Sequence, residues 1–381
     1  YIMNVLTGQY EKEGVYKRSP RQKDQYWERP LPPEDWDERR LREINTAVID
    51  PVLESYRRQE WSRRLNGFWF MNKGNPTFIT GLHYFYLTHW KIGQTLTGYP
   101  DYRDRDRRFF YLWKYIQEDP NALGLLYVTR RREGKTSKGG CAMFEPASRT
   151  RNFNAAVVSK TEDDTVRVVF QGAIVKPYLD LPDFFRPAFD TSGGRRPKKS
   201  LTFTQPSARG KAATERIDNE LRSMIWAAPA TTYALDGSRI DHGLIDEIFK
   251  CKDIDIRERH RVVKYACTDG RGQFSGSLMV TSTVEEFEGA IEEYRKFWEE
   301  SNQLHRNENG RTKTGLYRLF TPAYEALNYD EYGFEDVEAN KTFFLNERAA
   351  IASDPVALQS EIRKNPFNAA EAFRSANRNT V

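Results

Sequence analysis

Gly134-Lys135-Thr136-Ser137 closes a segment, GLLYVTRRREGKTS (residues 124–137), whose parts come in the order that phosphate binding requires. An apolar run of Leu123, Leu125, Leu126, Tyr127 and Val128 reads as a buried strand. A short loop follows, then a helix-compatible stretch from Thr136 to Phe144. Backbone N–H groups at such a loop and helix N-terminus can cradle a β-phosphate. The lysine reaches the β/γ oxygens and the hydroxyl binds Mg²⁺. Glycine before the lysine lets the backbone approach a phosphate with no Cβ in the way. Candidate nucleotide contacts are therefore Thr129, Arg130, Arg132, Glu133, Gly134, Lys135, Thr136 and Ser137, with Thr136 also a candidate metal ligand. The ligand expected is ATP with Mg²⁺. One departure stands out: Thr129 occupies the position of the usual first glycine, and Arg130, Arg131 and Arg132 fill variable positions. A bare G-K-[ST] arises often by chance, so the strand context and a second acidic motif must carry the assignment.

That second motif is Gly243-Leu244-Ile245-Asp246-Glu247, about 110 residues downstream. Asp-Glu at the C-terminal edge of an apolar strand suits the ASCE class of P-loop ATPases. There the aspartate holds Mg²⁺, usually through water, and the glutamate orients and deprotonates the attacking water. Without a phosphate loop upstream, the same dipeptide reads as a helix start. A third motif, Leu278-Met279-Val280-Thr281-Ser282-Thr283, is an apolar strand ending in three hydroxyls. Thr281 or Ser282 is placed to sense the γ-phosphate, while Thr283 with Glu286 fits a capping box for a following helix.

Three further charge clusters remain. An arginine of the trio could meet the charge that spreads over a transferred phosphoryl group, worth on the order of 10³–10⁵ in rate. For Arg130 and Arg132 the alternative is a solvated or subunit-facing charge. Tyr102–Arg107 (YRDRDR) lies one helix before the phosphate loop, where Asp106 could accept a hydrogen bond from an adenine amino group. The same stretch equally suits a helix N-terminus laced with salt bridges. Finally, Arg195, Arg196, Lys198 and Lys199 beside Gly193-Gly194 read either as a solvated loop or as a contact to DNA backbone phosphates.

Strands and helices must position these residues. A chain of 381 residues with 39% hydrophobic and 13% aromatic content is globular and long enough for two or three units. The 59 basic residues nearly balance 54 acidic ones, so a basic surface must be local. Cys141, Cys251 and Cys267 share no metal-ligand spacing, which argues against zinc and suits a reducing compartment. No apolar run approaches the roughly 18 residues of a membrane span. Strands are expected at Leu123–Val128, Ala155–Ser159, Ser200–Thr204, Thr232–Leu235, Gly243–Ile245 and Ser277–Ser282. Helices are expected at Asp35–Glu60, Thr136–Phe144, Glu162–Tyr178, Arg209–Ser223 and Val284–Leu304. Residues 67–92 read as strand, turn, strand and an aromatic helix. The alternation predicts an α/β fold with a mostly parallel sheet flanked by helices and a smaller helical or irregular subdomain. The expected division is a lead-in over 1–98, a P-loop core over 99–284 and a helical lid over 285–381.

Together these segments resemble the large terminase subunit of tailed bacteriophages, in its N-terminal packaging ATPase. The resemblance rests on FITGLHYFYLTHWKI, YRDRDRRFF, the deviant loop TRRREGKTS, LIDE, LMVTST and the tail NPFNAAEAFRSA, and covers roughly residues 60–375. It implies a RecA-like ASCE fold, and an arginine three residues before the glycine-lysine pair, here Arg131, as a catalytic residue beside Lys135 and Glu247. It implies that Thr281, Ser282 and Thr283 couple hydrolysis to movement on DNA. The family usually has glutamine where Asp106 stands. The implied partners are double-stranded DNA, the capsid portal protein, the small terminase subunit and further copies in a ring, with no membrane. The implied location is the host cytoplasm, transiently on the assembling capsid. The family also carries a C-terminal nuclease; with no room for it after the ATPase motifs, the chain is expected to be the motor half.

Two other readings share these motifs: a helicase- or recombinase-like ASCE ATPase acting on nucleic acid, and a nucleotide-gated assembly module with little turnover.

Overall fold

The structure, a computed structural model, describes residues 2–4, 9–11, 25–43, 50–93, 97–191, 194, 196–204, 220–251, 254–284 and 290–374. Two small antiparallel pairs precede the core, β1 (Ile2–Asn4) with β2 (Gln9–Glu11) and β3 (Phe68–Asn72) with β4 (Asn75–Ile79). The main sheet is built from β5 (Gly124–Thr129), β6 (Asn154–Val158), β7 (Ser200–Phe203), β8 (Ser223–Ala227), β9 (His242–Asp246), β10 (Ser277–Ser282) and β11 (Leu316–Thr321). Its spatial order is β11-β5-β10-β9-β6-β8-β7. Every neighbouring pair is parallel except β7 and β8.

Both faces of this sheet are covered, which explains the unbroken apolar runs of its central strands. Every residue of β5 and β9 is buried. Successive side chains alternate between the layers. Leu125, Tyr127, Val157, Leu244 and Met279 pack with the helices Gly81–His89, Asp104–Glu118 and Lys135–Ala147. Leu126, Val128, Val158, Ile245 and Val280 pack with the helices Ile256–Ala266 and Ile291–Glu299 on the other side. The helix following the phosphate loop also lies tight against a π-helix, Asp164–Val175: a Cβ on Gly140 would sit 2.4 Å from the Ala173 carbonyl oxygen.

The N-terminal helix Pro51–Asn66 is tied to this layer through Arg64, whose side chain is fully buried. Its guanidinium donates to Glu145 Oε1 at 3.0 Å and to the Glu145 carbonyl at 2.7 Å, near the end of the phosphate-loop helix. Phe85 packs on its flat face, 4.4 Å from ring centre to Cζ. Burying a guanidinium is costly unless it is paired, and here carboxylate, carbonyl and ring all serve.

Several sequence expectations shift. Thr232–Leu235 lies in turns rather than a strand, because Leu235 and Gly237 both take left-handed backbone (φ +72° and +70°) that no strand accommodates. The expected helix over Arg209–Ser223 falls mostly on residues 205–219, outside the described residues, and Ser223 opens β8 instead. Val284–Leu304 contributes the helix Ile291–Glu299, and Glu286 lies outside the described residues. Asp35–Glu60 holds two helices, Glu38–Glu43 and Pro51–Asn66, the second capped by Asp50. Strand β11, from the segment assigned to the lid, joins the core sheet beside β5, so the sheet extends past residue 284. No helix among the described residues is long and apolar enough to cross a membrane.

Candidate active site

In an open parallel sheet, ligands sit outside the carboxyl ends of the strands. Strand β10 lies between β5 and β9, in a register that pairs Thr281 with both Tyr127 and Asp246. The phosphate loop, the hydroxyl cluster and the acidic pair therefore leave the sheet side by side.

Gly134 takes left-handed backbone (φ +74°) at the N-cap of the helix Lys135–Ala147, and the Lys138 N–H closes the first turn on its carbonyl at 2.9 Å. Lys135 Nζ reaches Glu247 Oε1 at 2.9 Å. One residue on, Thr136 Oγ1 donates to Asp246 Oδ2 at 3.0 Å. The other Asp246 oxygen accepts from Thr281 Oγ1 at 2.5 Å. Glu247 Oε2 accepts from the Thr283 backbone N–H at 3.1 Å and from Thr283 Oγ1 at 3.3 Å. Glu247 itself has left-handed backbone (φ +58°), uncommon outside glycine, and so does Arg132 in the loop (φ +62°). Backbone strain of this kind, on the order of 1–3 kcal/mol per residue, persists where the surroundings over-determine it.

Burial opposes charge on each of the three central groups. For Lys135 the nearby Glu247 and Asp246 overcome it, and the ammonium is held above its usual pKa. For Glu247, Lys135 and Lys250 overcome it and the carboxyl falls below the usual range. Asp246 differs: burial, with Glu247 beside it, pushes its carboxyl up despite Lys135. The site thus holds one carboxylate that is comfortably ionised and another that lacks sufficient counter-charge.

A cleft of about 660 Å³ opens here, lined by the loop from Arg132 to Ser137 on one side and by the π-helix with the adjoining Lys176 on the other. Its size suits a small polyanion. A hydroxyl and a carboxylate oxygen 3.0 Å apart form a hard-oxygen donor set that fits Mg²⁺, which takes few protein ligands and completes its shell with phosphate and water. Among the described residues, no group of three or more His, Cys, Asp or Glu side chains is placed to hold a metal ion.

Other expected contacts lie elsewhere. Thr129 Oγ1 donates to the Thr321 carbonyl at 3.3 Å, pinning the start of the loop to β11. The Arg130 guanidinium sits 5.2 Å over the Phe344 ring rather than in the cleft. Arg131 is exposed and does not line the cleft; of the three arginines, Arg132 does. Glu133 belongs to the cleft lining, but its carboxylate is buried and ends on Arg105 at 2.5 Å. Asp106, expected to meet an adenine, is likewise buried and accepts from Lys138 Nζ at 2.5 Å, leaving the helix-and-salt-bridge alternative for that stretch. Thr283 holds Glu247, and the capping box expected of it with Glu286 lies outside the described residues; Ser282 Oγ accepts from the Phe249 N–H at 3.0 Å. Arg195 lies outside the described residues; Arg196 and Lys198 are exposed, and Lys199 pairs with Glu162 at 2.6 Å. Sequence reasoning missed Lys250, 3.3 Å from Glu247 Oε1; its signal was a lysine one short helical turn beyond the acidic pair.

Sheet order, loop and acidic strand define an α/β P-loop fold of the ASCE arrangement. Compared with known proteins, the chain matches no family model and no curated protein. Among solved structures it is similar to the ATPase domain of the large terminase of Thermus phage P74-26. An arginine-to-alanine form of that domain gives a TM-score of 0.43, with 14% identity over 71% of this chain and 95% of the other. The same domain without that substitution gives 0.42, again at 14% identity and the same coverage.

The uneven charge balance yields a stability test. A carboxyl whose folded pKa is raised costs stability once pH exceeds that of its unfolded form. Asp246→Asn should therefore raise the melting temperature of the nucleotide-free protein by about 1–3 °C at pH 7. The gain should shrink as pH is lowered and the wild-type carboxyl takes up its own proton. Thermal melts at pH 7 and pH 5 check this; a destabilised variant at pH 7 would contradict it.

Proposed function

We propose that the chain binds ATP with Mg²⁺ in this cleft and hydrolyses it, and that hydrolysis moves double-stranded DNA into a preformed viral capsid. The ATPase part is carried by one observation: Lys135 and Thr136 of the loop stand within hydrogen-bonding distance of Glu247 and Asp246 from β9. Lys135 and the backbone N–H groups at the start of its helix bind the phosphate tail, and Lys135 exchanges its carboxylate partner for phosphate oxygens. That exchange releases Glu247 Oε1 from Lys135, leaving Lys250 at 3.3 Å beside it, while Thr283 keeps hold of Oε2. The freed carboxylate orients the attacking water and accepts its proton as the water oxygen bonds to the γ-phosphorus and the bond to the leaving ADP oxygen breaks. Bound Mg²⁺ would supply charge neutralisation on the phosphate oxygens, with Thr136 and Asp246 as the residues that hold it. Thr281 and Thr283, each on one acidic side chain, link this site to the end of β10. Arg132, Arg167 and Lys176 on the cleft walls are cations available to meet developing charge, with Arg131 joining them after a loop rearrangement or from a neighbouring copy.

The packaging part rests on the resemblance of the chain's motifs to the large terminase subunit. On this reading the protein works as one of a ring of copies on a capsid portal, with a small terminase subunit as partner. Arg196 and Lys198, exposed beside the sheet edge β7, are candidates for contact with DNA phosphates, with Arg195 and Lys199 completing the basic run.

In Glu247→Gln, ATP binding should persist while steady-state turnover falls by about 10²-fold or more, as expected when a general base is lost. An unchanged trace rate in wild type and variant alike would favour the assembly module. For DNA, duplex affinity should be independent of sequence and fall steeply with salt. Reversing Arg196 and Lys198 together should reduce the slope of log affinity against log salt by about 2, one per lost phosphate contact. An unaltered slope would remove this loop from the DNA interface.

A further inference from the structure

Behind the phosphate loop, away from the acidic pair, lies a second charge cluster to which the hydrolysis chemistry assigns no part. Arg105 and Asp106 are adjacent in the helix Asp104–Glu118, while Glu133 and Lys138 flank Gly134-Lys135-Thr136-Ser137 in sequence. Arg105 Nη2 stands 2.5 Å from Glu133 Oε1, and Lys138 Nζ stands 2.5 Å from Asp106 Oδ1. Cross contacts of 3.8 Å (Arg105–Asp106) and 3.9 Å (Lys138–Glu133) close the square. The side chains of Arg105 and Glu133 are each 1% exposed and that of Lys138 is 2% exposed. Phe109 and Tyr127 wall off Lys138, with ring centres 5.6 and 5.8 Å from Nζ. His83 is buried nearby, stacked on Phe110.

Such a cluster is a poor way to gain stability, since two charge pairs taken out of water roughly break even against apolar packing. It is also imperfectly satisfied. Arg105 and Glu133 attract each other without hydrogen-bond geometry, and among the described residues the three guanidinium nitrogens and both Glu133 oxygens have no hydrogen-bond partner. Buried groups left in this condition call for an explanation other than stability. Their position supplies one. This loop lacks the usual first glycine and carries three consecutive arginines, whose mutual repulsion would splay it open. Thr129 fixes its start on β11, and the four charges hold its other end at the two residues that bracket the phosphate-binding turn.

We infer that Arg105, Asp106, Glu133 and Lys138 are positioning residues, a buried ionic clamp that holds the phosphate loop in its binding-competent shape and thereby sets affinity for a nucleoside triphosphate rather than the rate of the chemical step. This rests on the ATPase reading above. A preformed cradle loses no conformational freedom when the phosphate arrives, so its benefit falls on binding.

The test uses the full chain, MgATP turnover and direct titration with a fluorescent MgATP analogue. Arg105→Met and Glu133→Gln should each raise KM and analogue Kd about tenfold or more, with kcat within about threefold of wild type. Because the Arg105–Glu133 attraction is Coulombic, Arg105→Lys should recover most of the lost affinity. Should the single variants fail to fold, the double variant Arg105→Met/Glu133→Met removes both buried charges together and is expected to fold as well as wild type, yet to bind the analogue about tenfold more weakly. If the double variant folds and binds with wild-type affinity, or if kcat falls while KM stays fixed, the clamp is overturned. A wild-type protein that fails to bind the analogue would instead overturn the ATPase reading, whatever the variants do.

Discussion

The junction of Lys135 with Glu247 and of Thr136 with Asp246 is the contact on which the site depends. It joins two segments about 110 residues apart, at the ends of strands that are not neighbours in the sheet. An ammonium and two carboxylates there are largely withdrawn from water, a state tolerable only because the ammonium faces both carboxylates and hydroxyls bond to them. The balance is incomplete, since Asp246 and Glu247 put two negative charges against Lys135 with Lys250 at the edge. A site poised in this way is short of positive charge near Asp246 and offers its lysine to a competing anion. Both properties are what a metal-bound triphosphate exploits.

Around that junction the loop is restrained from three sides: Thr129 on β11, the Arg105–Glu133 and Asp106–Lys138 pairs beneath it, and the acidic strand in front. Deviation from the usual glycine pattern therefore need not mean a looser loop. Conformational permission that a second glycine supplies elsewhere is supplied here by left-handed Arg132 beside Gly134, with long-range ion pairs holding the result. The cost is a set of buried charges whose pairing spans distant parts of the chain, so folding and the competence of the loop are linked.

Much of this was legible in the sequence, for identifiable reasons. Strands β5, β6, β9 and β10 are buried on both faces, and such strands appear as continuous apolar runs. Strands β11 and β8, towards the two ends of the sheet, were harder. LYRLFT of β11 carries an arginine on a partly exposed strand, and SMIWA of β8 follows a polar stretch that reads as helix. Turn residues, not hydrophobicity, excluded a strand at 232–235. For the site, short motifs gave Lys135, Thr136, Asp246 and Glu247 because their spacing within each motif is local. What the motifs could not give was the long-range partner of each polar group. Asp106 and Glu133 look like nucleotide contacts from their neighbours in sequence, and only packing reveals that Lys138 and Arg105 claim them. Thr283 was legible as a helix cap, but its hold on the Glu247 carboxylate, a long-range contact, was not.

The most direct measurement is a crystal structure of the chain with Mg²⁺ and a non-hydrolysable ATP analogue, read at the Lys135 ammonium. The account predicts that this group leaves Glu247 for the phosphate tail, with the metal beside Thr136 and Asp246 and the loop backbone otherwise unmoved. A nucleotide seated away from Gly134–Ser137, or a Lys135–Glu247 pair left intact beside it, would contradict the account.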